Sequence, residues 1–162
     1  MASTVMGAHV FARVLHRIDG FIFRLSDGSK TATSALAGLP VIMLTTTGSR
    51  SALARTVPVL GFPIDGQIAV AAGNFGRARE PGWCLNLRRD PHARISVHGQ
   101  LRDVVAQEMA GKERERIWQQ ALAIYPGGSA YAKRAKNRTI AVFLLRDQIS
   151  DTSAVRPPAP QQ

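Results

Sequence analysis

Apolar and polar positions alternate in short blocks along this chain, and one stretch sets the rest: Leu39–Leu60, LPVIMLTTTGSRSALARTVPVL. The continuous apolar run Val41–Leu44 predicts a strand over Pro40–Thr46, buried on both faces. Gly48 marks a sharp turn, a cationic loop follows, and a second strand has Arg55–Leu60 as its core and reaches Phe62. Pro58 inside that strand requires an edge, a bulge or a side without a ladder bond. Pro63-Ile64-Asp65-Gly66 is a hairpin signal, after which Gln67–Ala72 returns as a third strand.

The pattern then changes. Gly73-Asn74-Phe75-Gly76 is a second glycine-hinged loop leading to Arg77 and Arg79. Pro81, with Glu80 beside it, opens a short helix over Gly82–Arg89 that stops at Asp90-Pro91. Arg94–His98 alternates as a strand, Gly99 turns the chain, and Leu101–Met109 is its partner. Lys112–Tyr125 carries the clearest helical stripe, Ile117, Trp118, Ala121, Leu122 and Tyr125, and ends at Pro126-Gly127-Gly128. Ser129 is placed to cap a further short helix, and Thr139–Leu145 reads as a last strand.

At the ends, His9–Leu25 has an apolar stripe (Phe11, Val14, Leu15, Ile18, Ile22, Leu25) with Arg13, Arg17 and Arg24 off it. Two readings stand: a helix packed on the domain, or a basic helix lying on a membrane face. Ser26–Gly38 is a loop of small residues, and 147–162, with three prolines, reads as a disordered tail. The chain thus divides into 1–38 (helix and loop), 39–146 (the domain) and 147–162 (tail). About six strands, mostly joined by short turns rather than crossover helices, predict an α+β, mainly β fold. An antiparallel sheet closes toward a barrel with helices packed outside.

Composition adds a partner class. Net charge is 21 − 11 = +10, which points to nucleic acid, a membrane surface or a phosphorylated ligand. Cys84 is the single cysteine, so no intrachain disulfide forms and a reducing, cytoplasmic compartment is the default. Residues 1–9 carry no Lys or Arg, unlike a signal peptide, and no apolar run approaches the roughly 18 residues of a spanning helix.

Familiar catalytic signatures are absent: no G-x-G-x-x-G, no G-x-x-x-x-G-K-[ST], no G-x-S-x-G. His9, His16, His92 and His98 form no H-x-x-x-H pair. What remains is two cationic, glycine-hinged loops, Thr46–Arg55 and Gly73–Arg79, accompanied by Phe75, Trp83, Tyr125 and Tyr131. Hydroxyls, backbone N–H groups and guanidinium forks in such loops suit an anionic group, and the aromatics suit a flat ring. The bland reading is a solvated basic surface.

Three blocks in order carry a resemblance: LPVIMLTTTGSRSALARTVPVL, IAVAAGNFGRAREPGWCLNLRRDPHARISV and ERIWQQALAIYPGGSAYAKRAKNRTIAVFLL. Over residues 39–146 the chain resembles the deazaflavin-dependent nitroreductase family. These are split β-barrel proteins, similar to FMN-binding barrels, that bind coenzyme F420 and include F420H2-dependent quinone reductases. The pattern resembled is P-V-x-L-L-T-T-T-G-R-K-S-G-x-x-R-x-x-P-L, then S-x-G-G, P-x-W-Y-x-N-L-x-x-x-P and Y-P-x-Y-x-x-Y. The resemblance implies that Ser49, Arg50, Ser51 and Arg55 hold the phosphate and oligoglutamate side. Thr56, Val57, Pro58, Val59 and Leu60 pass under the deazaflavin, and Ala71, Ala72, Gly73 and Asn74 contact the ring and ribityl region. Gly82, Trp83, Cys84, Leu85 and Asn86 close the site, and Tyr125 and Tyr131 line the acceptor pocket as candidate catalytic residues. The chain departs from the pattern at Ser49-Arg50, Ala52, Gly73-Asn74, Cys84 and Gly128, which implies one fewer cation and a wider, less aromatic pocket.

The leading expectation is an oxidoreductase that moves a hydride from F420H2 to a quinone or nitroaromatic acceptor, with FMN as the alternative cofactor and no metal. A non-catalytic holder of F420, a flavin or an apolar ligand on the same fold is the second. Nucleic-acid binding through Lys133, Arg134, Lys136 and Arg138 is the third, without any recognised module to support it. Membrane contact through His9–Leu25 and a homodimer complete the partner expectations.

Overall fold

A computed structural model describes residues 41–135 and 138–148, apart from the side chains of Phe75 and Tyr131. The expected elements at His9–Leu25, Ser26–Gly38 and 149–162 lie outside the described residues. Six strands form one closed antiparallel barrel: β1 (Val41–Thr47), β2 (Ala54–Ile64), β3 (Gln67–Ala71), β4 (His92–Val97), β5 (Gln100–Glu108) and β6 (Val142–Asp147). Their order around the barrel is β1-β2-β3-β6-β5-β4, with β4 pairing back onto β1. Among the described residues, three helices accompany it: α1 (Gly82–Arg89), α2 (Gly111–Ile124) and α3 (Gly128–Arg134). The mainly β, α+β class expected from the sequence is the class observed.

Local chemistry explains the register. β2–β3 and β4–β5 are two-residue hairpins: Ile64 faces Gln67 and Val97 faces Gln100. Asp65-Gly66 (φ 51° and 74°) and His98-Gly99 (φ 49° and 81°) turn them with both central residues left-handed, the twist-matched geometry for hairpins. The proline problem in β2 is solved by a change of neighbour. β2 pairs with β1 over Ala54–Leu60 and with β3 over Gly61–Ile64, so Pro58 and Pro63 each sit where only one edge is engaged.

Several boundaries move. β1 alternates between buried (Ile42, Leu44, Thr46) and half-buried (Val41, Met43, Thr45, Thr47) positions, not burial on both faces as the apolar run implied. Its second face turns outward from the barrel. β6 begins at Val142 rather than Thr139. The carbonyls just before it are engaged elsewhere, Ile140 O by the Arg114 guanidinium and Ala141 O by the Ala72 N–H. It also runs through Asp147, which pairs with Arg102 of β5. Ser129 is inside α3, not its cap; its hydroxyl donates to Pro126 O at 2.9 Å.

Two apolar layers hold the molecule. The barrel interior contains Leu44, Val70, Ile95, Val104, Phe143 and Leu145, and α1 plugs it with Trp83, Cys84 and Leu87. A second layer lies outside β2, β3 and β6, where Phe62, Ile64, Ala69, Val142 and Leu144 meet Ile117, Trp118 and Ala121 of α2. β6 is buried over Val142–Leu145 because it serves both layers. Each such Leu, Ile or Phe contributes roughly 1.5–3 kcal/mol of burial, which outweighs any helix propensity available to an eight-residue helix like α1.

Candidate active site

The first loop is built by its own backbone and by α1. The Gly48 N–H donates to Leu53 O and the Ala52 N–H to Gly48 O, both at 2.8 Å, closing a tight turn around Ser49-Arg50-Ser51. Ala52 sits at φ 57°, the left-handed region. Asn86, buried on α1, reaches across. Its Nδ2–H donates to Thr46 Oγ1 at 2.9 Å, and its Oδ1 accepts the Ser49 N–H at 2.8 Å. Thr46 is also buried. Two buried polar side chains so placed satisfy each other and fix the loop against the helix. From the last turn of α1, Arg89 Nη1 donates to Ser49 O at 2.6 Å.

The second loop is pinned from the opposite direction. Ala72 is buried; Gly73 leads into a 3-10 turn over Asn74–Gly76, with Asn74 at φ 42° and its Nδ2 donating to Arg79 O at 2.5 Å. Arg138, from the α3–β6 connection, donates to the carbonyls of Ala72 (3.0 Å), Gly73 (3.3 Å) and Arg77 (3.2 Å). That use of Arg138 removes it from the exposed basic stretch proposed for nucleic acid. It is also the residue whose role sequence reading missed, because only the fold brings position 138 to position 72. α3, which carries Tyr131, packs on the 3-10 turn.

α1 connects the two loops. It spans about 12 Å from Gly82 to Arg89 at the usual helical rise, with the second loop entering one end and the first loop bonded along the other. The helix has the expected bounds, with Pro81 as its N-cap (φ −65°, ψ 145°), and Asp90 before Pro91 is extended. Arg88 anchors it: Nη1 meets Glu80 Oε2 at 2.6 Å and Nη2 meets Glu108 Oε1 at 2.7 Å. The same guanidinium lies 6.0 Å from the Phe143 ring centroid. The Arg88 hydrogen bond holds the Glu80 carboxyl below the usual range.

The remaining sequence-predicted positions separate by face. Val57 and Val59 point into the barrel core, and Thr56, Pro58 and Leu60 alternate with them. Thr56 shares a 2.8 Å hydroxyl contact with Thr45, and Leu60 packs on the outer layer. Ala71 packs on that layer too. Within Gly82–Asn86, Trp83 and Cys84 are interior, Trp83 edge-on to Phe143 at 5.7 Å, whereas Gly82 and Leu85 are exposed. Burial pushes the Cys84 thiol up to about 12, so it is no thiolate nucleophile. Tyr125 follows α2, half-buried, with its ring against Gly127: a Cβ there would fall 2.7 Å from the Tyr125 hydroxyl oxygen. A Cβ on Gly128 would meet Leu122 Cδ2 at 2.9 Å.

Charge is partitioned as clearly as burial. Arg88, Arg94, Arg102 and Arg116 are in ion pairs that tie elements of the barrel and helices together, and Arg114 pairs with Glu115 within α2. Among the described residues, none of these ion pairs involves Arg50, Arg55, Arg77, Arg79 or Arg89, all exposed around the two loops and α1. The arrangement can receive a polyanion beside an apolar barrel wall. Among the described residues, no group of His, Cys, Asp and Glu is placed to hold a metal.

Residues 15–147 match the model of the family described as F420H(2)-dependent quinone reductase. The chain belongs to the F420H(2)-dependent quinone reductase family. A solved structure described as an F420-H2 dependent reductase (FDR-A) superposes with a TM-score of 0.60 at 30% identity, over 66% of this chain and 94% of that one. Another, described as a domain-swapped dimer, gives 0.60 at 27% identity, over 86% and 99%. A heme binding protein from Mycobacterium smegmatis, at 18% identity and TM-score 0.53, covers 69% of this chain and 48% of its own, and shares the fold alone.

Membership in the quinone reductase family makes this protein an F420H2-dependent oxidoreductase with coenzyme F420 as its cofactor. The family, the enzyme class and the cofactor expected from the three sequence blocks are those found. The residues present fit that cofactor. Five arginines outside the ion pairs and the hydroxyls of Ser49 and Ser51 match a phosphate and carboxylate tail.

Proposed function

We propose that the protein passes a hydride from F420H2 to a flat apolar acceptor of quinone or nitroaromatic type. When bound, the reduced deazaflavin supplies the hydride. In this reading Arg50 and Arg55 with the Ser49 and Ser51 hydroxyls hold the anionic tail. Thr56–Leu60 forms the wall beside the ring, with Thr56, Pro58 and Leu60 on its outer side and Val57 and Val59 supporting it from the core. Ala71, Ala72, Gly73 and Asn74 approach through backbone, and Gly82 and Leu85 border the site from α1. Trp83, Cys84 and Asn86 act indirectly, the first two by plugging the barrel and Asn86 by setting the loop. Tyr125 and Tyr131 are the proposed proton donors to the reduced acceptor.

The observation that supports this reading is the group of five exposed arginines outside the ion pairs, Arg50, Arg55, Arg77, Arg79 and Arg89, in or beside the two loops. Bridging arginines stabilise the fold; exposed cations held close together stabilise an anion. The test is a fluorescence titration with F420 beside FMN, followed by F420H2 oxidation with a quinone and a nitroaromatic, read as returning F420 fluorescence. Saturable micromolar F420 binding with weaker FMN binding is expected; no F420 saturation in that range sinks the proposal.

We further propose a homodimer, in keeping with the 27%-identical structure described as a domain-swapped dimer. Peripheral membrane contact through His9–Leu25 is also proposed. Among the described residues, no helix is long and apolar enough to cross a membrane.

A further inference from the structure

We propose that Arg89 is a third ligand-binding cation of the first loop, delivered from α1 to engage the anionic tail of the cofactor. The inference rests on the F420 reading and adds a residue outside those the resemblance assigned.

Arg88 and Arg89 are neighbours in the last turn of one helix, yet they do different things. Arg88 is committed to Glu80 and Glu108. Arg89 points the other way and donates one Nη1–H to Ser49 O, forty positions earlier in the chain. Satisfying the α1 dipole would need only a cation near the helix's own last carbonyls. Arg89 instead crosses to another element. A guanidinium has five N–H donors in a rigid fork, and this contact uses one. The rest of the head is exposed, and among the described residues no ion pair involves it.

Its position brings three guanidinium groups to one six-residue turn. Arg50 is within the turn, and Arg55 Nη2 leans on Ser51 Oγ at 3.4 Å. Gly48–Leu53 is closed by two backbone bonds, and Asn86 holds its underside, so the turn cannot simply open to relieve the repulsion. Like charges held together on a rigid loop favour a polyanion. The contact to Ser49 O fixes where the head sits, and the free edge of the fork is suited to two oxygens of a phosphate or carboxylate.

The test compares wild type, Arg89→Ala and Arg89→Lys with two probes: F420 itself, and the deazaflavin nucleoside that lacks the phosphate and glutamate tail. Dissociation constants come from fluorescence titration at several salt concentrations. Arg89→Ala should weaken F420 binding about tenfold, flatten its salt dependence and leave the nucleoside unaffected, with Arg89→Lys in between. A loss of F420 affinity that keeps the wild-type salt dependence, or an equal loss for both probes, would mean that Arg89 only shapes the loop, and overturns the proposal. So does an unchanged F420 affinity, which leaves the cofactor reading intact. Failure of wild type to bind F420 overturns both.

Discussion

Ala52 holds a left-handed backbone, φ 57°, at the position where the resembled pattern carries glycine. For a residue with a Cβ this conformation costs about 1–2 kcal/mol. Glycine would remove that strain, offset in part by its larger unfolded-state entropy. Ala52→Gly is therefore expected to raise stability by about 0.5–1 kcal/mol in urea unfolding; equal or lower stability would show that the turn carries no such strain. The sequence marked Ala52 only as a departure, and its meaning depends on a dihedral angle that the residue string does not contain. Asn86 is the converse case. It stood out as a site residue, and the structure gives its amide to Thr46 and Ser49.

At the scale of elements, α1 is an eight-residue plug whose stability is tertiary. The buried Cys84 reports on it. Burial, with a smaller opposing influence from Arg88, raises the thiol from its ordinary 9.0 to about 12. The folded protein therefore keeps this proton where the unfolded chain loses it. The associated stability is intact below pH 9 and is lost as pH rises from 9 toward 12, by at most about 1.4 kcal/mol per pH unit. Native protein should accordingly resist labelling by a disulfide reagent at pH 8 and label fully once denatured; prompt native labelling would show that the plug opens. The apolar pattern of β1 and β6 was read correctly as strand, but not its ends. Ladder boundaries depend on whether neighbouring carbonyls are already bonded, as at Ile140 and Ala141.

Across the whole molecule the +10 charge resolves into two populations. Paired arginines join β4 to β5, β5 to β6 and α2 to the β2–β3 turn, and five exposed arginines outside those pairs, Arg50, Arg55, Arg77, Arg79 and Arg89, lie in or beside the two loops. The proposed lipid contact belongs to this scale, because it adds Arg13, Arg17 and Arg24 to that surplus. The protein is expected to pellet with vesicles containing anionic phospholipid and not with neutral ones. Removal of residues 1–38 should abolish pelleting, and absence of pelleting with anionic vesicles would exclude the membrane reading.

Local chemistry determined what short-range rules can reach. The turns at Asp65-Gly66 and His98-Gly99, the helix between Pro81 and Pro91, the stripe of α2 and the motif blocks are all legible because each depends on residues within a few positions of one another. Only the tertiary structure decided the rest. Closure of β4 onto β1, the bond from Asn86 to residues forty positions away, and the reach of Arg138 to Ala72 depend on packing. So does the first loop: its hydroxyls and cations are written in the sequence, but the turn that presents them is held by α1, through side chains whose partners only the closed barrel brings near.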